Sequence, residues 1–181
     1  GYHPEWSGEQ IREQVRISTD PVDPLNPAYA GLLGRGRLNV YRALTLVSPA
    51  IRLENVAFYE VSGVEDGYFE PGETVALTFK LKNYLEPANN IRVRFTTDNP
   101  NIEIQNGVFS IAGLGRNEEW QWDLPDRTLR ILPGAERGTD IQIFLGIEAD
   151  GYTDRDYCRL PIAPDFKNLE GGNVSLTLTS T

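Results

Sequence analysis

Hydrophobic and polar residues alternate along most of the chain after residue 52, with the period of two that is typical of β-strands. The clearest run is 74–82, where every second residue is apolar. The pattern recurs at 56–61, 91–95, 102–104, 108–111, 120–122, 128–132, 141–147 and 157–160. Turn-forming residues such as Pro71-Gly72 and Asn106-Gly107 separate these runs. Short alternating strands with no helical pattern between them predict a mainly β fold, an antiparallel β-sandwich.

A helical pattern precedes the strands. Ser7 and Gln10 have the spacing of a capping box, with Trp6 and Ile11 at the staple positions beside it. Ile11 and Val15 share one helical face, so we predict a helix from about residue 8 to about residue 17. The opposite face of this helix is polar and carries Arg12, Glu13 and Arg16, and we expect it to face the solvent.

A second short helix is predicted close to residue 40. Asn39 is a suitable N-cap, apolar residues then recur at helical spacing, and Pro49 ends the pattern. Between the two helices, 19–27 contains Pro21, Pro24 and Pro27, which predicts an extended loop without helix.

Two short helices cannot bury all the apolar residues of this segment on each other. We therefore expect a neighbouring domain, or the strands that follow, to cover them. The residues concerned are Trp6, Ile11, Val15, Leu32, Leu33, Leu38 and Leu44.

The change of period divides the chain into three parts. Residues 1–49 form the helical segment, and residues 50–164 form the predicted sandwich. Residues 165–181 begin a new alternating run after Pro161 and Pro164, and we interpret them as the start of a following domain or as a linker.

Two motifs in the helical segment carry a family resemblance over about 45 residues. The first is Pro4-Glu-Trp-Ser-Gly-Glu-Gln-Ile11, and the second is Gly34-Arg-Gly-Arg-Leu-Asn-Val-Tyr-Arg-Ala-Leu44. Together and in this order they resemble the C-terminal end of a subtilisin-like serine peptidase domain. The resemblance implies that residues 1–49 are the helical end of such a domain.

The predicted sandwich carries a second resemblance. The runs 66–77, 81–83 and 88–93 resemble the immunoglobulin-like modules that follow catalytic domains in large secreted bacterial peptidases. This implies an immunoglobulin-like sandwich, a secreted or cell-surface location in a bacterium, and an upstream peptidase domain of the same parent chain as the partner. A protein substrate is a further partner that the resemblance allows.

The chemistry of that family cannot be placed on this chain. The family's nucleophile lies in a Gly-Thr-Ser-Met-Ala type motif, whereas this chain has no Met and one histidine, His3. A Ser-His-Asp triad needs a base within hydrogen-bond reach of the nucleophile. We therefore predict no catalytic residue, no cofactor site and no metal site here, and serine endopeptidase activity only in the parent protein.

The composition of the chain argues against some classes of binding partner. The net charge of -9 argues against nucleic acid and anionic membranes, both of which favour basic proteins. No apolar run approaches the roughly 20 residues of a membrane helix. The single cysteine, Cys158, cannot form a disulfide within the chain and is interpreted as a small strand residue.

Three groups of side chains are candidate sites. Acidic residues crowd one turn and suit calcium, although a solvated turn is the preferred interpretation: Glu65, Asp66, Glu70 and Glu73. Trp120 and Trp122 share a strand face. This face could stack on sugar rings, but packing in the core is the preferred interpretation. Five arginines are expected on solvent faces, paired with the acidic excess: Arg92, Arg94, Arg127, Arg130 and Arg137.

These observations predict a non-catalytic C-terminal region of a secreted subtilisin-like serine peptidase, acting as structural support, spacer or substrate-contacting module. The alternative is a stand-alone adhesion or carbohydrate-binding β-sandwich module. Exposure of Trp120 and Trp122 in a groove would favour the alternative. Burial of both, with Trp6, Ile11 and Leu44 packed on the sandwich, would favour the structural role.

Overall fold

The computed structural model describes residues 3–29, 33–63, 66–124 and 126–164, and this part of the chain is mainly β. Two α-helices come first, α1 (Gly8–Ile17) and α2 (Val40–Thr45). The strands then follow in order: β1 (Ile51–Ser62), β2 (Thr74–Asn83), β3 (Ala88–Thr96), β4 (Ile102–Gln105), β5 (Val108–Leu114), β6 (Glu119–Trp122), β7 (Thr128–Ile131), β8 (Asp140–Ala149) and β9 (Tyr152–Pro161).

The strands form two antiparallel sheets. In the first sheet β2 pairs with β1 on one side, and with β6 and β7 one after the other on its opposite side; β7 also pairs with β4. The second sheet has the order β5-β3-β8-β9. This arrangement confirms the predicted fold class, a mainly β antiparallel sandwich preceded by two short helices.

One hydrophobic core lies between the sheets. It takes alternate residues from the central strands of both sheets, as the period of two requires. Phe79 from β2 and Phe95 from β3 meet edge to face, with ring centroids 5.1 Å apart. The fully buried side chains include Val75, Phe79, Leu81, Ile91, Leu129, Ile131, Ile143, Leu145, Ile147 and Leu160.

The last strand is longer than predicted. The sequence pattern indicated 157–160, whereas β9 begins at Tyr152. Asp154 and Asp156 occupy positions on the inner side of this strand, and carboxylates there hide the apolar alternation on which the prediction depended. The buried Asp154 is therefore the feature that the pattern could not reveal.

The proline-rich loop also differs from its prediction. Two single turns of 3-10 helix, Asp23–Leu25 and Pro27–Tyr29, replace the expected extended chain. Proline fixes φ near −65°, which suits the first positions of such a turn as well as extended chain. The predicted segment 165–181 lies outside the described residues, as do Leu32 and Glu65.

Core packing gives a first prediction. Replacing the fully buried Leu145 by Ala should lower the free energy of unfolding by about 2–5 kcal/mol, since it leaves a cavity. Urea unfolding followed by tryptophan fluorescence measures this change. Val108→Ala, at a residue 45% exposed on the edge strand β5, is the control and should cost less than about 1 kcal/mol. Equal losses for the two variants would contradict the assigned core.

Candidate functional site

Helix α1 lies on the sandwich with its polar face, not its apolar one. Its buried residues are Gln10, Glu13, Gln14 and Ile17. Ile11 and Val15, by contrast, remain 50% and 40% exposed. The expectation that Glu13 and Arg16 cover the solvent side is therefore wrong, because both contribute to a polar junction with the sandwich.

The predicted capping box is present and fixes the start of this helix. The Ser7 amide donates to Gln10 Oε1 at 3.0 Å, and the Gln10 amide donates to Ser7 Oγ at 3.2 Å. The same Gln10 side chain donates from Nε2 to the Tyr84 carbonyl at 2.9 Å, in the loop after β2. One glutamine thus caps the helix and ties it to the sandwich.

A second glutamine joins the two helices. Gln14 Nε2 donates to the carbonyl oxygens of Ala43 at 3.1 Å and Leu46 at 2.8 Å. These acceptors belong to the end of α2, where the last carbonyls of a helix lack partners within the helix. Gln14 therefore supplies the cap that α2 needs at its C-terminus.

A small hydrophobic cluster lies beneath these amide contacts, separate from the main core. Ile17, Ala50, Tyr84 and Leu85 are buried in it, with Trp6 and Leu46 packed at its margin. Trp6 also stacks on His3, with ring centroids 3.8 Å apart. The junction therefore combines a modest apolar contact with specific polar ones.

Asp154 is the centre of the junction. Arg16 binds its carboxylate with both terminal nitrogens, Nη1 to Oδ1 at 3.1 Å and Nη2 to Oδ2 at 2.7 Å. Arg35 Nη1 reaches Oδ1 at 2.5 Å, and the Tyr152 hydroxyl donates to Oδ2 at 2.7 Å. Glu13 in turn accepts from Arg16 Nε at 2.5 Å. We call these five residues the Asp154 cluster.

The protonation of the cluster follows from its burial and its charges. Burial alone would raise the pKa of Asp154, but hydrogen bonding and charge from Arg16, followed by the charge of Arg35, outweigh it, so this pKa lies below its ordinary value. Burial likewise opposes the charged form of Arg16, yet Asp154 and Glu13 raise its pKa. Both groups are therefore ionised at neutral pH.

The second sequence motif holds Arg35 in this cluster. Gly36 has φ of +126°, and a Cβ there would lie 2.1 Å from the Asp20 carbonyl oxygen, so only glycine fits. Asn39 caps α2 by accepting from the Arg42 amide at 2.9 Å and also donates to the Asp20 carboxylate. These contacts fold 34–39 back against the end of α1, which places Arg35 beside Asp154.

The outer surface of the helical segment is strongly apolar. Most of the exposed large apolar side chains in the described part of the chain lie between residues 11 and 47. They are Ile11, Val15, Leu25, Tyr29, Leu33, Leu38, Val40, Tyr41, Leu44 and Val47, and we call this set the apolar face. Within this set Ile11 and Val15 lie one turn apart on the same side of α1, and contiguous apolar patches on soluble proteins mark surfaces that bind another protein.

The tryptophan pair lies at the opposite part of the sandwich and is packed internally. Trp120 and Trp122 have centroids 5.5 Å apart, and Trp120 stacks on Phe109 at 5.2 Å. The Arg127 guanidinium lies between Phe109 and Trp122, 4.1 Å and 3.8 Å from their centroids. Both tryptophans are half-buried against the core, which supports the core interpretation over a sugar-binding platform. The expectation that Ile11 and Leu44 would pack on the sandwich in the structural role is wrong, because both are 50% exposed.

Arg127 itself differs from its prediction. It was expected on a solvent face but is only 7% exposed. Its Nη1 donates to the Asn106 carbonyl at 2.9 Å, and burial lowers its pKa while the charge of Asp126 opposes that change. The two aromatic rings explain the burial, because a guanidinium can stack between π-faces without full hydration.

The acidic turn uses its described carboxylates within the loop. Asp66 accepts from the Tyr68 amide at 3.0 Å, Glu73 accepts from the Glu70 amide at 2.8 Å, and Glu70 pairs with Arg137 at 2.9 Å. Across 3–29, 33–63, 66–124 and 126–164, no three His, Cys, Asp or Glu side chains form a group that could hold a metal ion. Cys158 is partly buried on β9, and burial raises the pKa of its thiol to about 12.

No local sequence pattern identifies the Asp154 cluster. The signal was present in two places: Asp154 and Asp156 alternate with Arg155 in a strand, and Glu13 and Arg16 repeat on one helix face. Each reads as a solvent-exposed pattern by itself. Only the packing of α1 on β9 brings these charges together.

Comparison with known proteins adds little to this geometry. No model of a protein family and no curated protein matches the chain. Among solved structures, the sporulation control protein Spo0M from Bacillus subtilis is similar over 61% of this chain, with 13% sequence identity and a TM-score of 0.34. The chain spans 49% of the length of that protein, and we base no argument on a likeness this weak.

The helices give one further result. Neither α1 nor α2 has the length and apolar character needed to cross a membrane, and the described residues contain no other helix that does.

The Asp154 cluster generates a second prediction. Asp154→Asn should lower the free energy of unfolding by about 3 kcal/mol at pH 7, because it removes the buried carboxylate charge that Arg16 and Arg35 share. Folding depresses the pKa of Asp154. The contribution of its charge to stability is therefore fully present above the pKa of the unfolded chain, about 3.9, and is lost as the pH falls from there through the lower pKa of the folded chain. The difference between the native chain and Asp154→Asn should therefore shrink in acid.

Urea unfolding between pH 3 and pH 7 measures this dependence, with Asp140→Asn at an exposed position of β8 as the matched control. The control should track the native chain within about 0.5 kcal/mol. A stability difference for Asp154→Asn that is the same at every pH would contradict the role assigned to its charge.

Proposed function

We propose that this chain is the non-catalytic C-terminal region of a secreted subtilisin-like serine peptidase, and that its apolar face packs against the upstream peptidase domain. The observation that carries the proposal is the orientation of α1. The polar side of this helix is fixed to the sandwich, while Ile11 and Val15 point away from it into solvent.

The free-energy cost of exposed apolar surface supports this interpretation. Exposed apolar surface is unfavourable by about 25 cal/mol for each Å² that could be buried, and a helix normally buries its apolar side. Here the sandwich takes the polar side instead. A second body that covers Ile11, Val15 and Leu44 removes that inconsistency, and the two subtilisin-like motifs of residues 4–11 and 34–44 suggest which body it is.

The junction supports a positional role for the sandwich. Gln10 and Arg16 link α1 to two separate parts of it, the loop after β2 and the strand β9. Contacts at two separate points fix the direction of a helix far better than one apolar contact does. The sandwich would then be held at a defined angle to the peptidase domain, as a support or spacer beside the substrate path.

A third prediction tests the covering of the apolar face. In the parent protein, the double change Ile11→Asp and Val15→Asp should destabilise the peptidase domain by about 3 kcal/mol, because two buried apolar contacts are lost. In this chain alone the same change should cost less than about 1 kcal/mol, since both side chains are already largely in solvent. Thermal inactivation of the parent and urea unfolding of the chain measure the two effects.

Val61→Asp provides the control. Val61 is 50% exposed, as Ile11 is, but it lies on β1 of the sandwich. It should affect neither the parent nor the chain by more than about 1 kcal/mol. The proposal fails if the coding sequence upstream contains no serine peptidase triad, or if the parent tolerates the double change as well as it tolerates Val61→Asp.

A fourth prediction concerns activity. The chain by itself should not hydrolyse a casein substrate above the buffer rate, because a triad needs a base beside its nucleophile, and His3, the single histidine, bonds to Glu5 and stacks on Trp6. A fluorescent casein assay with and without a serine-directed inhibitor measures this. Inhibitor-sensitive turnover would show a serine nucleophile within these residues.

A further inference from the structure

The outer face of the second sheet carries arginines without an ion-pair partner among the described residues, although Arg159 lies over the Tyr157 ring, 5.9 Å from its centroid. Arg92 and Arg94 point outwards from β3, and Arg159 points outwards from β9. Within the described part of the chain, none of the three has a carboxylate oxygen within 4.0 Å. The expectation that Arg92 and Arg94 pair with the acidic excess is therefore wrong.

Basic residues on the outer face of the first sheet, by contrast, do have ion-pair partners. There Lys80 and Lys82 of β2 both bind Glu119 of β6, at 2.9 Å and 3.2 Å. Arg130 of β7 pairs with Glu103 of β4 at 3.4 Å. The first sheet thus matches its basic residues across strands, and the second does not, in a chain whose net charge is -9.

Two aromatic residues lie among the unpaired arginines. Phe144 of β8 is opposite Tyr157 of β9, and Tyr157 is 51% exposed. Next to them Gly146 stands between Arg94 and Arg155 in the strand register, and a Cβ there would meet only the Arg94 carbonyl oxygen, at 3.8 Å. The glycine leaves a shallow gap beside the aromatic pair, where another chain can approach the sheet closely.

We propose that this face binds an acidic polypeptide segment with an apolar side chain, the carboxylates lying on Arg92, Arg94 and Arg159 and the apolar group on Phe144 and Tyr157. Charge complementarity carries the choice of partner. Guanidinium groups bind carboxylates in bidentate fashion, and arginine and tyrosine are, with tryptophan, enriched at binding hot spots.

A polypeptide fits this face better than a nucleic acid or a sulfated polymer does. Long polyanions would experience the repulsion of the whole acidic protein, whereas a short segment meets only the local basic surface. Of the carboxylates on this face, Asp140 lies at one end of β8, and Glu148 lies opposite Arg92 in the strand register without an ion pair to it, so a bound segment meets one carboxylate beside Arg92. The proposal does not depend on a peptidase origin of the chain.

The test uses the full chain and a labelled 12-residue peptide rich in glutamate with two phenylalanines, followed by fluorescence anisotropy at low and at physiological salt. We expect salt-sensitive binding, and binding of the matched glutamine peptide should be weaker by about tenfold or more. The double change Arg92→Gln and Arg94→Gln should lower the affinity for the acidic peptide by about tenfold.

The matched control is Lys80→Gln with Lys82→Gln, which removes the same charge from the other sheet. This change should alter the affinity less than about twofold, since the removed charges lie on the opposite face. Tyr157→Ser should weaken binding at both salt concentrations, because it removes an apolar contact. Thermal unfolding of each variant checks that it is folded.

Several results would overturn the proposal. They are an absence of peptide binding at millimolar concentration, equal losses from the two double changes, and tighter binding of heparin or DNA than of the peptide. Self-association by sedimentation that Arg92→Gln and Arg94→Gln abolish would identify a second copy as the occupant instead. Stronger peptide binding after Asp165→Asn and Glu170→Gln would indicate that the chain's own last residues occupy this face instead of a separate polypeptide.

Discussion

The carboxylate of Asp154 is the constraint on which the arrangement of this protein depends. It is 7% exposed and lies at an inner position of β9, so it needs cationic partners to stay ionised there. Arg16 from α1 and Arg35 from the loop before α2 supply them. A buried ion pair adds little net stability, because desolvation offsets its attraction, but it penalises every other arrangement. We interpret the cluster as a device that selects one orientation of the helical segment.

That orientation decides which surfaces remain open. Because α1 turns its polar side to Asp154, Ile11 and Val15 must face outwards, together with the rest of the apolar face. The second sheet adds a basic surface on which Arg92 and Arg94 lack partners among the described residues. A domain with one apolar and one basic open surface is suited to lie between other bodies, as an accessory module does.

Local signals in the sequence predicted the elements where one interaction dominates. The capping box of Ser7 and Gln10 gave the start of α1, and the strict alternation of 74–82 gave β2 to within a residue. The first half of β9 was missed because Asp154 occupies a position that the pattern reserves for apolar residues. Arg127 was placed in solvent for a similar reason: a charged residue is usually exposed, and Phe109 and Trp122 reach it only after their two strands have joined different sheets.

The sequence by itself determined the mainly β class, the position of the two helices and the absence of the motifs of a serine peptidase triad. These features depend on periodicity, caps and residue types, which act over a few neighbouring residues. Only the tertiary structure decided which face of α1 is buried, which carboxylate binds Arg16, and which arginines stay unpaired. Those outcomes depend on charges brought together from residues 16, 35 and 154, and no local pattern encodes a contact between segments so far apart.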